Sequence, residues 1–382
     1  MTTAQHWLEP TIGWIITLLV LFDVFWTVLY ARASSGLISY RIGRGTWKVF
    51  RQISNAFPKH RDVILSFCGP VILVLVLTLL TVGAALVIHP FLGTGVTTQN
   101  GPTPTDFGTA MFAGGGSISI VGSNEFGPKN NAFRFFYLFN SFIGMSIISI
   151  TLTYLLQIYN ALLRRNVLGL NFHLASAETA DAAEFLPGLG PNGDFSSGHS
   201  TLSELASDFT KVKETHHFYP VLFYFRFRSP YYAISRSTLM ALDTVTLIKT
   251  ALDDIRFATL KESGSVTQLW RASLMLVNTL EKTFLPESNV QYQTEPDAST
   301  AERWRHRYFA AARRLRQAGI QTVADEHSGA EAYIALRSRW DQHIRELAPS
   351  LGYDMSEIDP IGCHPERSAS RPDFETRLRF AD

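Results

Sequence analysis

Three stretches of this chain are apolar over the length of about 20 residues that a helix needs to cross a bilayer. They are Thr11–Ala31, Val63–Ile88 and Phe133–Leu163. The third is longer than the hydrocarbon layer requires and is expected to tilt or to project beyond the lipid. The first differs from a secretory signal in lacking a basic leading region and a small-residue cleavage site. It also holds Trp14, Asp23 and Trp26, and is read as a retained spanning helix.

The short loops set the expected orientation. Between the first two spans lie Arg32, Arg41, Arg44, Lys48, Arg51, Lys59 and Arg61; between the second and third stands only Lys129, with Arg134 opening the third. Arg164 and Arg165 follow the third span directly. Positive residues favour the cytoplasmic face, so the N-terminus is expected outside and the first loop and long C-terminal half inside, in a multi-pass protein of the cell's inner (plasma) membrane. The charge balance divides the chain in the same way. Residues 1–165 carry 11 Lys+Arg against 5 Asp+Glu, which leaves 23 against 28 for the rest of the 382 residues. A net charge of +1 gives no general pull toward nucleic acid, and none is expected as a partner. Cys68 and Cys363 are too few and too far apart for a disulfide framework or a metal cluster.

Between the second and third spans the chain reads GGGSISIVGSNEFGP, from Gly114 to Pro128. Just upstream, Thr103-Pro104-Thr105-Asp106 has helix-start chemistry, with Thr103 as cap and Pro104 at the first helical position. Phe107–Ala113 then suffices for about two turns. The glycines that follow are expected to break the helix, each costing roughly 1 kcal/mol relative to alanine. A short helix, a break and a polar return to the same side describe a re-entrant segment. Such backbone is tolerated at membrane depth where it is buried in protein or lines a water-filled cavity. Its main use is an ion filter, in which carbonyl oxygens replace a cation's hydration shell.

Residues Ser119-Ile120-Val121-Gly122-Ser123-Asn124-Glu125-Phe126-Gly127-Pro128 resemble the filter of the potassium-channel pore-domain family, T-T-V-G-Y-G-D-x-x-P. The resemblance covers about residues 62–163. It implies that Ser119, Ile120, Val121, Gly122, Ser123 and Asn124 form a selectivity filter flanked by Asp106, Glu125 and Pro128. It also implies that Gly144 is a gating hinge in the inner helix and that four copies assemble around one axis. Two positions depart from the family. Asn124 stands where the second filter glycine would be, and asparagine is among the residues that best tolerate positive φ. Ser123 replaces the filter tyrosine and loses its aromatic packing, so the expected filter is looser and passes monovalent cations including potassium. Potassium-uptake transporters also keep one glycine per loop, but carry four pore repeats in a chain, whereas this chain has one.

Other membrane-region residues leave two readings each. Asp23 is an intramembrane acid, either functional, as a charge partner or ion sensor, or a hydrogen-bonded packing group. His89, before Pro90, is either a helix-end interface residue or a pH sensor, and the interface is the reading taken. The loop Gly36–Phe57 alternates basic and apolar residues, as does a helix lying on an anionic membrane surface. It serves either as a simple anchor or as a coupling element.

The cytoplasmic half lacks a recognisable catalytic constellation, metal site or nucleotide fingerprint; no enzyme activity or cofactor is expected beyond the permeant cation. GLGPNG lacks the Lys-Ser/Thr of a phosphate loop. Asp181–Ser200 is expected to be a linker or exposed loop. Helices are predicted from Thr201 onward, with apolar spacing at Leu239, Leu242, Val245, Leu247, Ile248 and Leu252, and again at Leu269, Leu274, Leu276, Leu280 and Leu285. A capping box at Ser299–Glu302 opens another helix, and a last one is expected over Ala330–Leu347. The run Phe218–Phe227 is a core segment or docking surface, too short for a fourth span. Arg303, Arg305, Arg307, Arg313, Arg314 and Arg316 form either a solvated, acid-paired face or a site for an anionic effector; the solvated face is the reading taken. His216-His217 has no spaced partners of metal-site type and is read as structural.

The expected architecture is an all-α membrane protein with three transmembrane helices, a re-entrant pore helix and filter loop, and a helical cytoplasmic domain. Its segments are an N-terminal transmembrane helix (1–31), a basic loop or interfacial helix (32–61), a channel-like pore domain (62–165), a linker (166–200), a helical regulatory domain (201–362) and a disordered tail (363–382). The expected function is a tetrameric cation channel in contact with membrane lipid and gated or assembled by its cytoplasmic domain, with an unknown cytoplasmic effector. The alternative is a non-conducting receptor or scaffold that keeps the channel-like fold.

Overall fold

The computed structural model describes residues 3–24, 26, 37–57, 60, 64–65, 67–119, 122, 125–285 and 295–363. Residues 27–31 of the first expected span, Val63 of the second and the tail beyond 363 lie outside these. The fold is mostly helical, 77% helix, and its described strands are two three-residue segments, so it is an all-α protein. The chain divides into two compact units, Met1–Asn160 and Ala161–Asp382.

The first unit is built from helices α1 (Thr3–Val24), α2 (Leu37–Ala56), α3 (Cys68–Ile88) and α4 (Phe107–Ile118), with the first part of α5 (Asn131–Ala175). Among the described residues, α1 over Trp7–Val24 and α5 are long and apolar enough to cross a membrane, and Thr78–Phe91 is a shorter apolar helical stretch. Helices α1 and α3 come into backbone contact at two glycines. A Cβ on Gly13 would stand 2.6 Å from the Gly83 carbonyl oxygen, and one on Gly83 would stand 2.5 Å from Thr17 Oγ1. Small residues let backbones meet in this way, and no larger residue fits there. Strands β1 (Val96–Thr98) and β2 (Phe126–Pro128) pair antiparallel, Val96 opposite Pro128 and Thr98 opposite Phe126. The core beside them joins Ala85, Ile88, Ala110, Ala113, Phe126 and Phe136. Helix α2 is amphipathic: Trp47 and Ser54 are buried while Lys48, Val49 and Arg51 are exposed.

The second unit has helices α6 (Ala182–Leu189), α7 (Gly198–Phe218), α8 (Ile234–Ala251), α9 (Ala258–Lys261), α10 (Gly264–Phe284), α11 (Ala298–Gln317), α12 (Glu326–Arg337), α13 (Asp341–Ser350), α14 (Met355–Ile358) and α15 (Pro360–Cys363), together with the end of α5. Helix α8 is its axis: all its residues but Arg236 and Lys249 are buried. Its threonines satisfy their hydroxyls within the helix, Thr238, Thr244, Thr246 and Thr250 each donating to the carbonyl four residues earlier at 2.7–2.8 Å. That internal bonding lets a threonine-rich helix be buried on every side.

Four local expectations need correction. Asp181–Ser200 is not an exposed loop. Asp181 caps α6, whose Ala182, Ala183, Phe185, Leu186 and Leu189 are all buried. Helix α11 is capped by Asp297 rather than Ser299, because the Asp297 carboxylate accepts the Thr300 N–H at 2.6 Å. The expected last helix is two, α12 and α13, separated at residues 338–340. The glycine run does not break its helix, for a reason that emerges from the packing around α4.

Candidate functional site

Helix α4 starts at Asp106, not Thr103. The Asp106 carboxylate accepts the Thr109 N–H at 3.0 Å and the Thr109 hydroxyl at 2.7 Å. Thr103 instead accepts the Thr98 N–H at 3.0 Å through its hydroxyl, which pins the loop beside β1. The helix then continues through Gly114 and its neighbours to Ile118, with Ser119 as C-cap. A Cβ on Gly114 would stand 2.8 Å from the backbone nitrogen of Ala85 on α3. The glycine therefore serves helix–helix approach, and the packing gained outweighs the local propensity cost.

The C-terminal end of α4 is held by α5 at three points. Asn140, buried, donates to Ser117 Oγ at 2.9 Å, and Ser117 in turn donates to the Gly114 carbonyl at 2.8 Å. The Ser141 hydroxyl donates to the Ser117 carbonyl at 3.3 Å. A Cβ on Gly144 would lie 1.8 Å from the Ile118 carbonyl oxygen. Helix α5 is unbroken through Gly144, which acts here as a close-contact residue. Ser117 and Asn140 belong to no sequence motif, and only the packing of α4 on α5 brings them together.

Beyond the helix, Gly122 has φ +73° and its N–H donates to the Ser119 carbonyl at 3.2 Å. That positive φ is the left-handed conformation glycine adopts at no steric cost. Ile120, Val121, Ser123 and Asn124 lie outside the described residues. Glu125 is exposed, and its carbonyl accepts the Gln99 N–H at 3.0 Å; Pro128 ends β2 opposite Val96. The chain thus leaves from β1 and returns at β2, closing an excursion that contains α4 and residues 119–125.

The apolar helix α5 bears an exposed polar stripe. Ser146, Ser149, Thr153, Gln157 and Asn160 recur at three- and four-residue spacing, which places them on one face. The Ser149 hydroxyl donates to the Met145 carbonyl at 3.0 Å and the Thr153 hydroxyl to the Ser149 carbonyl at 2.9 Å. Leu155 is exposed on the opposite face. Asp23 on α1 is buried at 3% exposure. His89 bonds Glu9 on α1 at 2.7 Å through Nδ1, and its ring meets Phe107 edge-on.

In the second unit the arginine-rich face of α11 is divided by burial. Arg307 points into the core, where it binds Asp243 of α8 at 2.7 Å and Asp359 at 2.6 Å. Arg337 of α12 completes the cluster, 3.0 Å from Asp243 and 2.9 Å from both Asp341 and Asp359. The Tyr333 hydroxyl donates to Asp243 at 2.6 Å. Burial works against the Arg307 guanidinium, but Asp243 and Asp359 outweigh it and hold it well above its ordinary range. Of the remaining α11 arginines, Arg305 pairs with Glu302 and Glu331 and Arg316 with Glu326 toward the surface, whereas Arg314 pairs with the buried Asp181. The solvated-face reading therefore fits Arg305 and Arg316 and fails for Arg307, whose acids are remote in sequence.

Two further residues owe their surroundings to partners remote in sequence. Arg165, on α5 and 4% exposed, donates to the carbonyls of Leu222 at 3.1 Å and Phe225 at 2.9 Å, tying the helix end to the aromatic run. That run is a core segment, with Leu222, Phe223 and Tyr224 buried. His216 is buried beside it; burial, aided by the Arg165 charge, pushes its pKa down to about 4. Comparison with protein-family models, with curated proteins and with solved structures finds no match to this chain.

Proposed function

We propose that this chain is one subunit of a homotetrameric cation channel of the cell's inner membrane, permeable to potassium, with three transmembrane helices (α1, α3 and α5) and a re-entrant α4. The N-terminus lies outside and the second unit is cytoplasmic, where it gates or assembles the pore. The observation that carries the reading is the closed excursion between β1 and β2. Helix α4, 12 residues long, reaches about 18 Å at 1.5 Å per residue. That length suits a segment that enters part of a roughly 30 Å hydrocarbon layer and comes back.

The polar stripe on α5 supports the same reading. Serine, threonine, glutamine and asparagine exposed along a bilayer-length apolar helix call for water or protein beside them, and a central conduit between subunits supplies it. Gly122, at positive φ after the end of α4, is suited to turning a carbonyl inward. The carbonyls of residues 119–124 are the proposed cation ligands.

Cation flux into liposomes holding the purified protein tests the proposal, with potassium, sodium and impermeant-cation gradients compared. Potassium flux abolished by Gly122→Pro, with tetramers preserved, supports it. Equal sodium and potassium flux would keep the channel and make the filter non-selective. Lack of flux, with the second unit removed as well, would move the reading to a non-conducting receptor or scaffold.

A further inference from the structure

Helix α2 has three sides of different character. Gly43, Trp47 and Ser54 are buried and share one side, and the helix packs on α3. A second side carries Val49, Ile53 and Phe57, which are 51%, 43% and 59% exposed. They stand four residues apart and so form one row along the helix. The row runs past the helix end because the Phe57 N–H donates to the Ile53 carbonyl at 3.1 Å. A third side carries the exposed cations Arg41, Lys48 and Arg51, brought together by spacings of seven and three residues.

Three large apolar side chains exposed in a line are not covered by the packing of their own unit. The neighbouring charge indicates what covers them. From Arg32 to Arg61 the sequence holds seven Lys+Arg and no Asp or Glu. A second copy of α2 laid on this surface would bring like charges together. A leaflet of anionic phospholipid instead matches both sides at once: its acyl boundary takes the apolar row and its phosphates meet the cations. Position agrees with chemistry. Residues 25–36 and 57–67 alone separate α2 from α1 and α3. If those two helices span the bilayer, α2 is tethered to the membrane surface at both ends.

We infer that α2 lies in the head-group region of an anionic phospholipid leaflet, with Val49, Ile53 and Phe57 in the acyl boundary and Arg41, Lys48 and Arg51 against lipid phosphates. The inference rests on the proposed function in taking α1 and α3 as spanning helices; conduction does not enter it.

The test is amide hydrogen exchange of the full-length protein in nanodiscs, read over residues 41–57. Discs of phosphatidylcholine alone are compared with discs of phosphatidylcholine mixed with phosphatidylglycerol. Each cation near an anionic surface strengthens attachment about fivefold, so exchange in α2 should slow roughly tenfold or more in the anionic discs. Lys48→Gln combined with Arg51→Gln should remove most of that protection, and Ile53→Ser should raise exchange in both lipids. All three positions are exposed, so these replacements leave the packing of α2 on α3 in place. Equal exchange of the wild-type protein in the two lipids overturns the inference, as does protection that the double variant retains. Protection that follows the number of protein copies per disc, and not lipid charge, assigns the row to a second copy and also overturns it. Co-elution with plain phosphatidylcholine discs tests the spanning helices separately. A protein that does not insert fails the proposed function and this inference together, whereas an inserted protein with a lipid-insensitive α2 fails this inference alone.

Discussion

Gly144 on α5 lies against the carbonyl of Ile118 at the end of α4, so closely that a methyl group at 144 would stand 1.8 Å from the oxygen. Gly144→Ala must push the two helices apart or distort them, at a cost of about 1–3 kcal/mol or more. The expected outcome is a lower thermal midpoint for the assembled protein together with lost potassium flux. A residue acting only as a hinge would instead keep the midpoint and change the opening of the pore. Measuring both on one preparation separates the two roles.

The polar stripe predicts a face-specific response. Thr153→Leu and Gln157→Leu should each reduce cation flux severalfold, because they replace water-facing groups of the proposed conduit with apolar ones. Leu155→Ala, on the opposite exposed face, should leave flux nearly unchanged. Equal effects on both faces in the liposome assay would remove the stripe as support for a pore.

Asp243 is the acid shared by Arg307, Arg337 and Tyr333 in the core of the second unit. Asp243→Ala leaves two guanidinium groups short of a partner and is expected to cost about 3–5 kcal/mol. Asp243→Asn keeps the shape and some hydrogen bonding, and should cost less. Trp340 and Trp304 lie 4.8 Å and 5.4 Å from Arg337, so tryptophan fluorescence during denaturation reads this region directly.

His216 predicts a pH dependence of stability. Its folded pKa is pushed down to about 4, from an ordinary value of 6.5, first by burial and then by Arg165. The unfolded chain therefore takes up a proton that the folded one refuses. Stability is full above about pH 6.5 and is lost as pH falls toward about 4. Lowering the pH from 7 to 5 should remove about 2 kcal/mol from this group. In His216→Phe that part of the slope should vanish, as checked by denaturation midpoints at the two pH values.

Much of the secondary structure was legible because its signals are local. The long apolar runs and the 3.6-residue spacing around Leu239–Leu252 depend on residues within one or two turns of each other. Signals that depend on partners far along the chain misled. The run from Gly114 reads as a helix break when only propensity is counted, yet contact with Ala85 makes glycine the residue that fits. Arg307 and Arg305 look alike in a charge run; one meets Asp243 and Asp359, the other surface glutamates. Asp181–Ser200 has loop composition but buries five apolar side chains of α6.

The sequence by itself determined the all-α character of this protein and the position of its apolar helices, since hydropathy and periodicity act at short range. Only the tertiary structure decided that Gly144 serves a close contact with Ile118, that Arg307 and Arg337 share buried acids, and that α2 buries Trp47 and Ser54 while leaving Val49, Ile53 and Phe57 exposed. Those outcomes depend on steric fit, desolvation and charge pairing between distant segments, which exist only once the helices have packed.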